Sequence, residues 1–286
     1  MAILSRKGGG QCMKKQWKIF WAICGSLAAI GVICCIIGVI LGGSFFRSIV
    51  KDRDLDYITF EAENDLEVQG EEQQTFYGIK ELDVDVSQVN VQIDEYDGRY
   101  LTVETVDIPD NVLNEISYTA DESSLEIELE DSKKIKKLLS DNTKATIKIK
   151  VPSRSLQEAD ISVGAGSLYI SQIQVEELKV EVGAGQAKIE QFVSNCAEFQ
   201  CGAGEMQIAG EAEFTEVECG VGSIIYQAKG REDEYKYQVE SSLGEVTVGD
   251  RSYDGIGSGA EISRDGAKKE LYIKCGIGQV QVEFQK

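Results

Sequence analysis

The chain has 286 residues, which allows one or two domains, and its 49 acidic and 29 basic residues give a formal net charge of −20. It contains no histidine, which excludes Ser-His-Asp triads, Cys-His pairs and histidine-based zinc sites. The acidic balance argues against a nucleic-acid partner, because contact with a phosphate backbone requires a basic surface.

The charges divide the chain into a basic tail, an uncharged segment and an acidic remainder. Residues 1–18 contain five bases and no acid, and residues 19–46 contain no charge. As a helix, the uncharged segment would span roughly 42 Å, more than the ~30 Å hydrocarbon core of a bilayer. We therefore predict a cytoplasmic tail at 1–18 and a transmembrane helix at 19–46 that contacts the lipid bilayer.

Basic residues on the N-terminal side of such a helix place that side in the cytoplasm. The expected localisation is therefore the cell membrane, single-pass, with the C-terminal domain extracytoplasmic. A cleaved signal peptide is the alternative, but its apolar region would be only ~7–15 residues long.

A glycine triplet recurs about every 19 residues in the C-terminal half of the chain. Its copies are Gly-Ala-Gly at 164–166, 183–185 and 202–204, Gly-Val-Gly at 220–222, Gly-Ile-Gly at 276–278 and the degenerate Ser-Leu-Gly at 242–244. Apolar and polar residues alternate on both sides of each triplet, so each repeat predicts two short strands joined by a glycine turn. Such a turn needs either positive φ or a close approach of two chains.

The predicted structural residues follow from this alignment. The turn glycines are Gly164, Gly166, Gly183, Gly185, Gly202, Gly204, Gly220, Gly222, Gly244, Gly276 and Gly278. The residues directly before the triplets form a predicted core column of Val163, Val182, Cys201, Cys219 and Cys275.

Repeats of this length predict an all-β fold, a β-solenoid of two-strand coils that follows the single transmembrane helix. A pair of short strands cannot bury its apolar face alone, whereas stacked coils of equal length form a continuous core. A β-sandwich with glycine turns is the alternative, but it would not require constant spacing. We assign residues 47–75 to a linker with a first strand and residues 76–286 to the solenoid ectodomain.

The region before the triplets contains a degenerate coil and further strands. Residues 81–86 resemble 177–182, and the match continues through Ile93. Further strands are predicted at 100–105, 116–120, 124–129 and 145–151. Residues 131–142 are predicted to form a short helical excursion, and residues 249–269 a loop projecting between the last two coils.

The four ectodomain cysteines are Cys196, Cys201, Cys219 and Cys275. Because three of them lie in the inward column, the favoured interpretation is a small apolar core residue. A disulfide between Cys201 and Cys219 is the alternative, since adjacent coils bring Cα atoms near 4.8 Å. Zinc is the least favoured, because its ligands must converge on one point.

Acidic residues in outward columns form predicted neighbours, such as Glu198 with Glu216 and Glu218 with Glu240. Paired carboxylates can hydrolyse glycosides, but the ectodomain has no tryptophan to stack a sugar. The calcium-binding nonapeptide pattern of other solenoids is also absent from the sequence. We therefore predict no catalytic, cofactor-binding or metal-binding residues.

The segment Ile147–Pro152, followed by Ile161–Leu168 and its successors, resembles the bacterial putative-adhesin family of membrane-anchored β-strand-repeat domains of unknown function. The resemblance covers about residues 79–284 and includes one preceding membrane helix. It implies surface adhesion and brings no catalytic residues.

The favoured function is a non-catalytic, membrane-anchored cell-envelope protein whose solenoid binds or scaffolds an unidentified extracytoplasmic ligand or envelope protein. An envelope sensor that signals through the membrane helix is the alternative. A carbohydrate-active enzyme is the third hypothesis.

Overall fold

The computed structural model describes residues 72–130, 144–253, 257–264 and 266–285. The predicted tail, the transmembrane helix, most of the linker and the helical excursion at 131–142 lie outside these ranges. Within them, no helix is both long and apolar enough to cross a membrane.

The described residues are almost entirely β-strand. The N-terminal strands are β1 Glu72–Phe76, β2 Glu81–Val86, β3 Asn90–Tyr96, β4 Leu101–Val106, β5 Ser117–Ala120, β6 Ser124–Leu129 and β7 Thr146–Pro152. The middle strands are β8 Glu158–Val163, β9 Ser167–Ile170, β10 Ile173–Gln174, β11 Glu177–Val182, β12 Gln186–Cys201, β13 Glu205–Cys219 and β14 Ser223–Lys229. The C-terminal strands are β15 Tyr235–Ser241, β16 Glu245–Val248, β17 Arg251–Tyr253, β18 Ser258–Ile262, β19 Lys269–Cys275 and β20 Gln279–Gln285.

Two single helical turns interrupt the strands, at α1 Asp110–Leu113 and at Glu232–Glu234. The all-β prediction is therefore confirmed, and β4 to β7 coincide within a residue or so with the four further strands expected between 100 and 151.

Strand formation follows from the strict alternation of side chains. In β11, for example, Leu178, Val180 and Val182 are buried, while the residues between them are exposed or half-buried. The β-branched residues suit the pleated inner surface, and the charged residues between them remain in water. Each strand therefore has one core-facing and one solvent-facing row.

The repeat stacks in parallel and in register. Val163 aligns with Val182, Val182 with Cys201, and Cys201 with Cys219, so one repeat of 18 or 19 residues returns the chain to the same column one strand further along. The degenerate N-terminal coil obeys the same register, with Val86 beside Val163. The sheet is therefore solenoid-like, as the repeat predicted.

One continuous sheet folds into two faces joined by the glycine turns. The first face has the strand order β5, β6, β2, β8, β11, second half of β12, second half of β13, β19, β15, β18. The second face has the order β1, β4, β7, β3, β9, first half of β12, first half of β13, β14, β20, β16, β17. Each coil consists of one strand of the first face, the turn after it, and the next strand of the chain, which lies on the second face.

The coils do not stack in sequence order at either end, which corrects the sequential arrangement assumed from the repeat. At the C-terminal end, the last coil (β19–β20) lies between the β13–β14 coil and the β15–β16 coil. At the N-terminal end, β2–β3 lies inside and β6–β7 outside. The first coil, β2–β3, is therefore covered by the later β6–β7 coil, and the last coil, β19–β20, is covered by the earlier β15–β16 coil.

The segment 249–269, predicted to be a loop, instead contributes two strands at the C-terminal end of the stack. β18 pairs antiparallel with β15, and β17 pairs antiparallel with β16. At the opposite end, β4 and β5 pair antiparallel with β7 and β6. Gly and Asp residues had indicated a loop, but the outermost parallel strands leave N–H and C=O groups that antiparallel strands can satisfy.

Candidate binding surface

The predicted core column lies inside the stack. Val163 and Val182 are fully buried, and Cys201, Cys219 and Cys275 expose at most 2% of their surface. Because β19 sits beside β13, Cys275 aligns with Cys219, and Ser241 of β15 follows next. The column therefore continues through the inserted coil.

The cysteines are free thiols in the described structure, with Cys196 only half-buried on the outer surface of β12. Burial raises the pKa of the Cys201 thiol. The pKa of Cys219 is also raised, first by a hydrogen bond with Cys275 and then by burial. Raised pKa values suppress the thiolate form, so both groups behave as small apolar core residues rather than as nucleophiles.

The repeat glycines are required by close approach, since none of them adopts positive φ. A Cβ added at Gly183 would lie 2.6 Å from the Gly164 oxygen, and one at Gly185 would lie 2.0 Å from the Gly166 oxygen. The same contact recurs in the inserted coil, where a Cβ at Gly278 would lie 2.2 Å from the Gly222 oxygen. Turns stacked this tightly exclude any side chain at these positions.

The outer surface of the first face is the most distinctive chemical feature of the described chain. Its three outward rows are rich in carboxylates, and we call these rows the acidic face. One row contains Glu81, Glu158 and Glu177; the next contains Glu126, Asp83, Asp160, Glu198 and Glu216; the third contains Glu128, Asp85, Glu181 and Glu218. Members on neighbouring parallel strands lie about 4.8 Å apart. Lys179 interrupts the second row, and Ser162 and Gln200 interrupt the third.

Few cations neutralise this array. Lys179 Nζ lies 2.8 Å from Asp160 Oδ2, and Lys274 Nζ lies 2.6 Å from Glu216 Oε1. At Asp83 the pKa is raised, first by partial burial and then by Asp160 and Glu126. Like charges directly opposite on a sheet destabilise it, so the acidic face carries a cost in folding stability that its strands must offset.

The predicted carboxylate pairs are only partly correct. Glu198 and Glu216 are in register on neighbouring strands. Glu218 and Glu240 are separated by Lys274, because β19 lies between β13 and β15. The repeat alone could not reveal this, since it records the column of each residue and not the order of the coils.

The acidic face can act through the charge and the regular spacing of its carboxylates. Within the described ranges, no group of three or more Cys, Asp or Glu side chains is placed to hold a metal ion. The face instead offers hydrogen-bond acceptors at a fixed repeat on a sheet whose backbone is paired throughout its interior. Such a surface attracts cationic groups, and the attraction weakens as salt is added.

Residues 79–248 match the Toastrack DUF4097 family, and the chain belongs to that family. The match ends before β17, so the inserted β19–β20 coil lies beyond the matched residues although it occupies an interior place in the stack.

Solved structures provide three further comparisons. A "putative cell adhesion protein" from Clostridium sporogenes is 14% identical, with a TM-score of 0.40, over 76% of this chain and 99% of that chain. A "putative adhesin" from Bacteroides fragilis is 17% identical, with a TM-score of 0.36, over 75% and 98%. A "putative lipid binding protein" from Parabacteroides distasonis is 16% identical, also with a TM-score of 0.36, over 76% and 98%. No curated protein matches the chain in sequence.

Proposed function

We propose that the chain is a non-catalytic, membrane-anchored cell-envelope protein that binds a cationic extracytoplasmic partner through the acidic face. The observation that carries the proposal is the in-register array of carboxylates across β6, β2, β8 and β11, in which Lys179 is the one cation in the outward rows. Because parallel stacking fixes the spacing, a partner with repeated basic groups engages several carboxylates at once, and its apparent affinity rises through multivalency.

The anchoring part of the proposal is supported by the sequence. The uncharged residues 19–46 are long enough to span a bilayer, and the bases of 1–18 favour a cytoplasmic N-terminus. In this arrangement the acidic face is presented outside the cell, where adhesion to a basic protein or polymer takes place.

The binding claim is tested with the full chain in neutral-lipid nanodiscs and a lysine decapeptide as the probe. The variant Asp83→Asn/Asp85→Asn/Glu126→Gln should weaken binding about tenfold at low salt, since three exposed ion pairs of about 0.5 kcal/mol each are lost. The matched control Asp94→Asn/Glu190→Gln/Glu283→Gln removes the same charge from the second face and should change binding by less than about twofold. Equal weakening by both variants would show that net charge alone, and not the acidic face, attracts the probe.

The topology claim is tested separately by adding protease to intact cells whose wall has been removed. Digestion of the C-terminal domain with survival of a fragment near residues 1–47 is expected. Complete protection of the chain would contradict an extracytoplasmic domain.

A further inference from the structure

The edge formed by the stacked glycine turns carries an apolar stripe. The middle residue of each turn is exposed, and in spatial order these residues are Ala165, Ala184, Ala203, Val221, Ile277 and Leu243. We call this stripe the turn ridge. Its side chains become larger towards the C-terminal end, where the exposed fractions are 55% for Val221, 52% for Ile277 and 60% for Leu243.

The three large side chains lie on neighbouring turns, and Ile277 is in the middle because β19 lies between β13 and β15. The Ile277 amide donates to the Gly220 oxygen at 2.7 Å, and the Leu243 amide donates to the Gly276 oxygen at 2.8 Å. The Val221 amide is likewise bonded to the preceding turn, at 2.7 Å. The amide N–H groups of these three residues are therefore already paired, so moving them out of water leaves no donor unsatisfied.

Polar side chains border the large end of the ridge on both sides. On the first face these are Glu218, Lys274 and Glu240, with the Lys274 ammonium 4.0 Å from a Glu218 oxygen. On the second face they are Ser223, Gln279 and Glu245. The pattern is a narrow apolar crest with hydrogen-bonding and charged groups just below it.

We propose that Val221, Ile277 and Leu243 form a membrane-contact site that inserts into the interfacial region of a neutral-lipid bilayer. This inference rests on the anchoring part of the proposed function. It places the axis of the stack along the membrane plane, because the ridge runs parallel to that axis. The two rows of the acidic face further from the ridge stay accessible to a partner.

A bilayer suits this ridge better than a protein partner does. Stable protein interfaces bury about 800 Å² on each side, which three half-exposed aliphatic side chains do not provide. A membrane anchor raises the effective concentration of the ridge at the lipid surface, so a weak apolar contact suffices. Residues 47–71 separate the uncharged segment from β1, and these 25 residues can reach at most about 85 Å.

The bordering charges select the kind of lipid. Glu218, Glu240 and Glu245 approach the headgroups when the crest inserts, and they repel an anionic surface. Contact should therefore be strong with phosphatidylcholine and weaker when half of the lipid is phosphatidylglycerol.

The experiment uses the full chain reconstituted into phosphatidylcholine vesicles that contain brominated acyl chains, which quench tryptophan fluorescence at membrane depth. The variant Ile277→Trp is made in a Trp17→Phe/Trp21→Phe background, which removes both native tryptophans. The control Glu283→Trp lies on β20, the strand that follows this turn, six residues and about 20 Å further along the chain. Both variants should melt within about 2 °C of their background, which verifies the fold.

Quenching of at least twofold at position 277, with little at 283 and less quenching in the phosphatidylglycerol vesicles, is the expected result. Wild-type protein provides the separate readout of anchoring, through quenching of Trp17 and Trp21. If those tryptophans are quenched and position 277 is not, the ridge proposal is wrong while the anchor stands. If the protein does not float with the vesicles at all, the anchoring is wrong and the ridge proposal falls with it.

Discussion

Alanine substitutions at three repeat glycines should destabilise the protein to different degrees. The shorter the distance from the added Cβ to the neighbouring carbonyl oxygen, the larger the loss of stability should be. The added Cβ would lie 2.0 Å from the Gly166 oxygen at Gly185, 2.6 Å from the Gly164 oxygen at Gly183, and 3.1 Å from the Ser87 oxygen at Gly164. In each case the obstacle is a backbone carbonyl, which cannot rotate away as a side chain can.

The size of the effect at Gly185 follows from the movement that the clash requires. The two turns must separate by about 1 Å, which costs about 1–3 kcal/mol as overpacking. The separation also breaks the 3.2 Å hydrogen bond from the Gln186 amide to the Gly166 oxygen, for about 1–3 kcal/mol more. Gly185→Ala should therefore cost about 4 kcal/mol in total.

At Gly164 the neighbouring chain need move only a few tenths of an ångström. The reduced entropy of the unfolded chain offsets part of that cost, so Gly164→Ala should change stability by less than about 1 kcal/mol. Gly183→Ala should fall between the two.

Thermal unfolding of the full chain in detergent measures this order. For a domain of this size, 4 kcal/mol corresponds to a lower melting temperature of about 8–16 °C. Gly257→Ala is the control for backbone strain, since φ is +67° there and no atom lies within 4 Å of the added Cβ. Equal melting temperatures for Gly164→Ala and Gly185→Ala would refute close approach as the reason for the glycines.

Four further predictions concern the core column, the acidic face, the turn between β5 and β6, and the inserted coil. Cys201→Val should cost at most about 1.5 kcal/mol, whereas Cys201→Asp buries an unpaired charge and should prevent folding or cost more than about 4 kcal/mol, as compared by thermal melts. Because partial burial and then the neighbouring carboxylates raise the pKa of Asp83, its favourable contribution is present at low pH and is lost as pH rises through that pKa. Asp83→Asn should therefore raise the melting temperature at pH 7 and have no effect below about pH 3.9. Asp121 has a pKa lowered by the Ser123 and Ser124 amides, so Asp121→Ala should lower stability at pH 7 and lose its effect as pH falls; the same sign for both variants would contradict the assignment. Truncation after residue 248 should abolish cooperative unfolding, because it removes a coil from the interior of the stack; a merely shortened, still cooperative domain would indicate sequential stacking.

The sequence predicted most of the repeat and its chemistry. The triplets and the alternating flanks specify which residues share a column, because period-2 alternation and a fixed repeat length leave little freedom in register. Cys201 and Cys219 were therefore correctly placed beside each other. The degenerate coil at 81–93 was found for the same reason.

The order of the coils could not be predicted in this way. Either Ser241 or Cys275 could follow Cys219 in the core column, since both have the small inward side chain that the position accepts. The segment 249–269 was misassigned because β18, which contains Gly259, pairs only at the edge, where its sequence need not alternate. The turn ridge was not predicted, although Val221, Leu243 and Ile277 share the middle position of the repeat; the structure adds that Ile277 lies between the other two.

The order of the coils is the central structural claim, and zero-length carbodiimide cross-linking of the native protein tests it most directly. The insertion of β19 between β13 and β15 places Lys274 2.6 Å from Glu216 and Lys269 2.7 Å from Glu211. Mass spectrometry should therefore find both pairs joined by isopeptide bonds. Sequential stacking would instead set β15 against β13, so links from Lys236 to carboxylates of β13, without the Glu216–Lys274 link, would contradict the account.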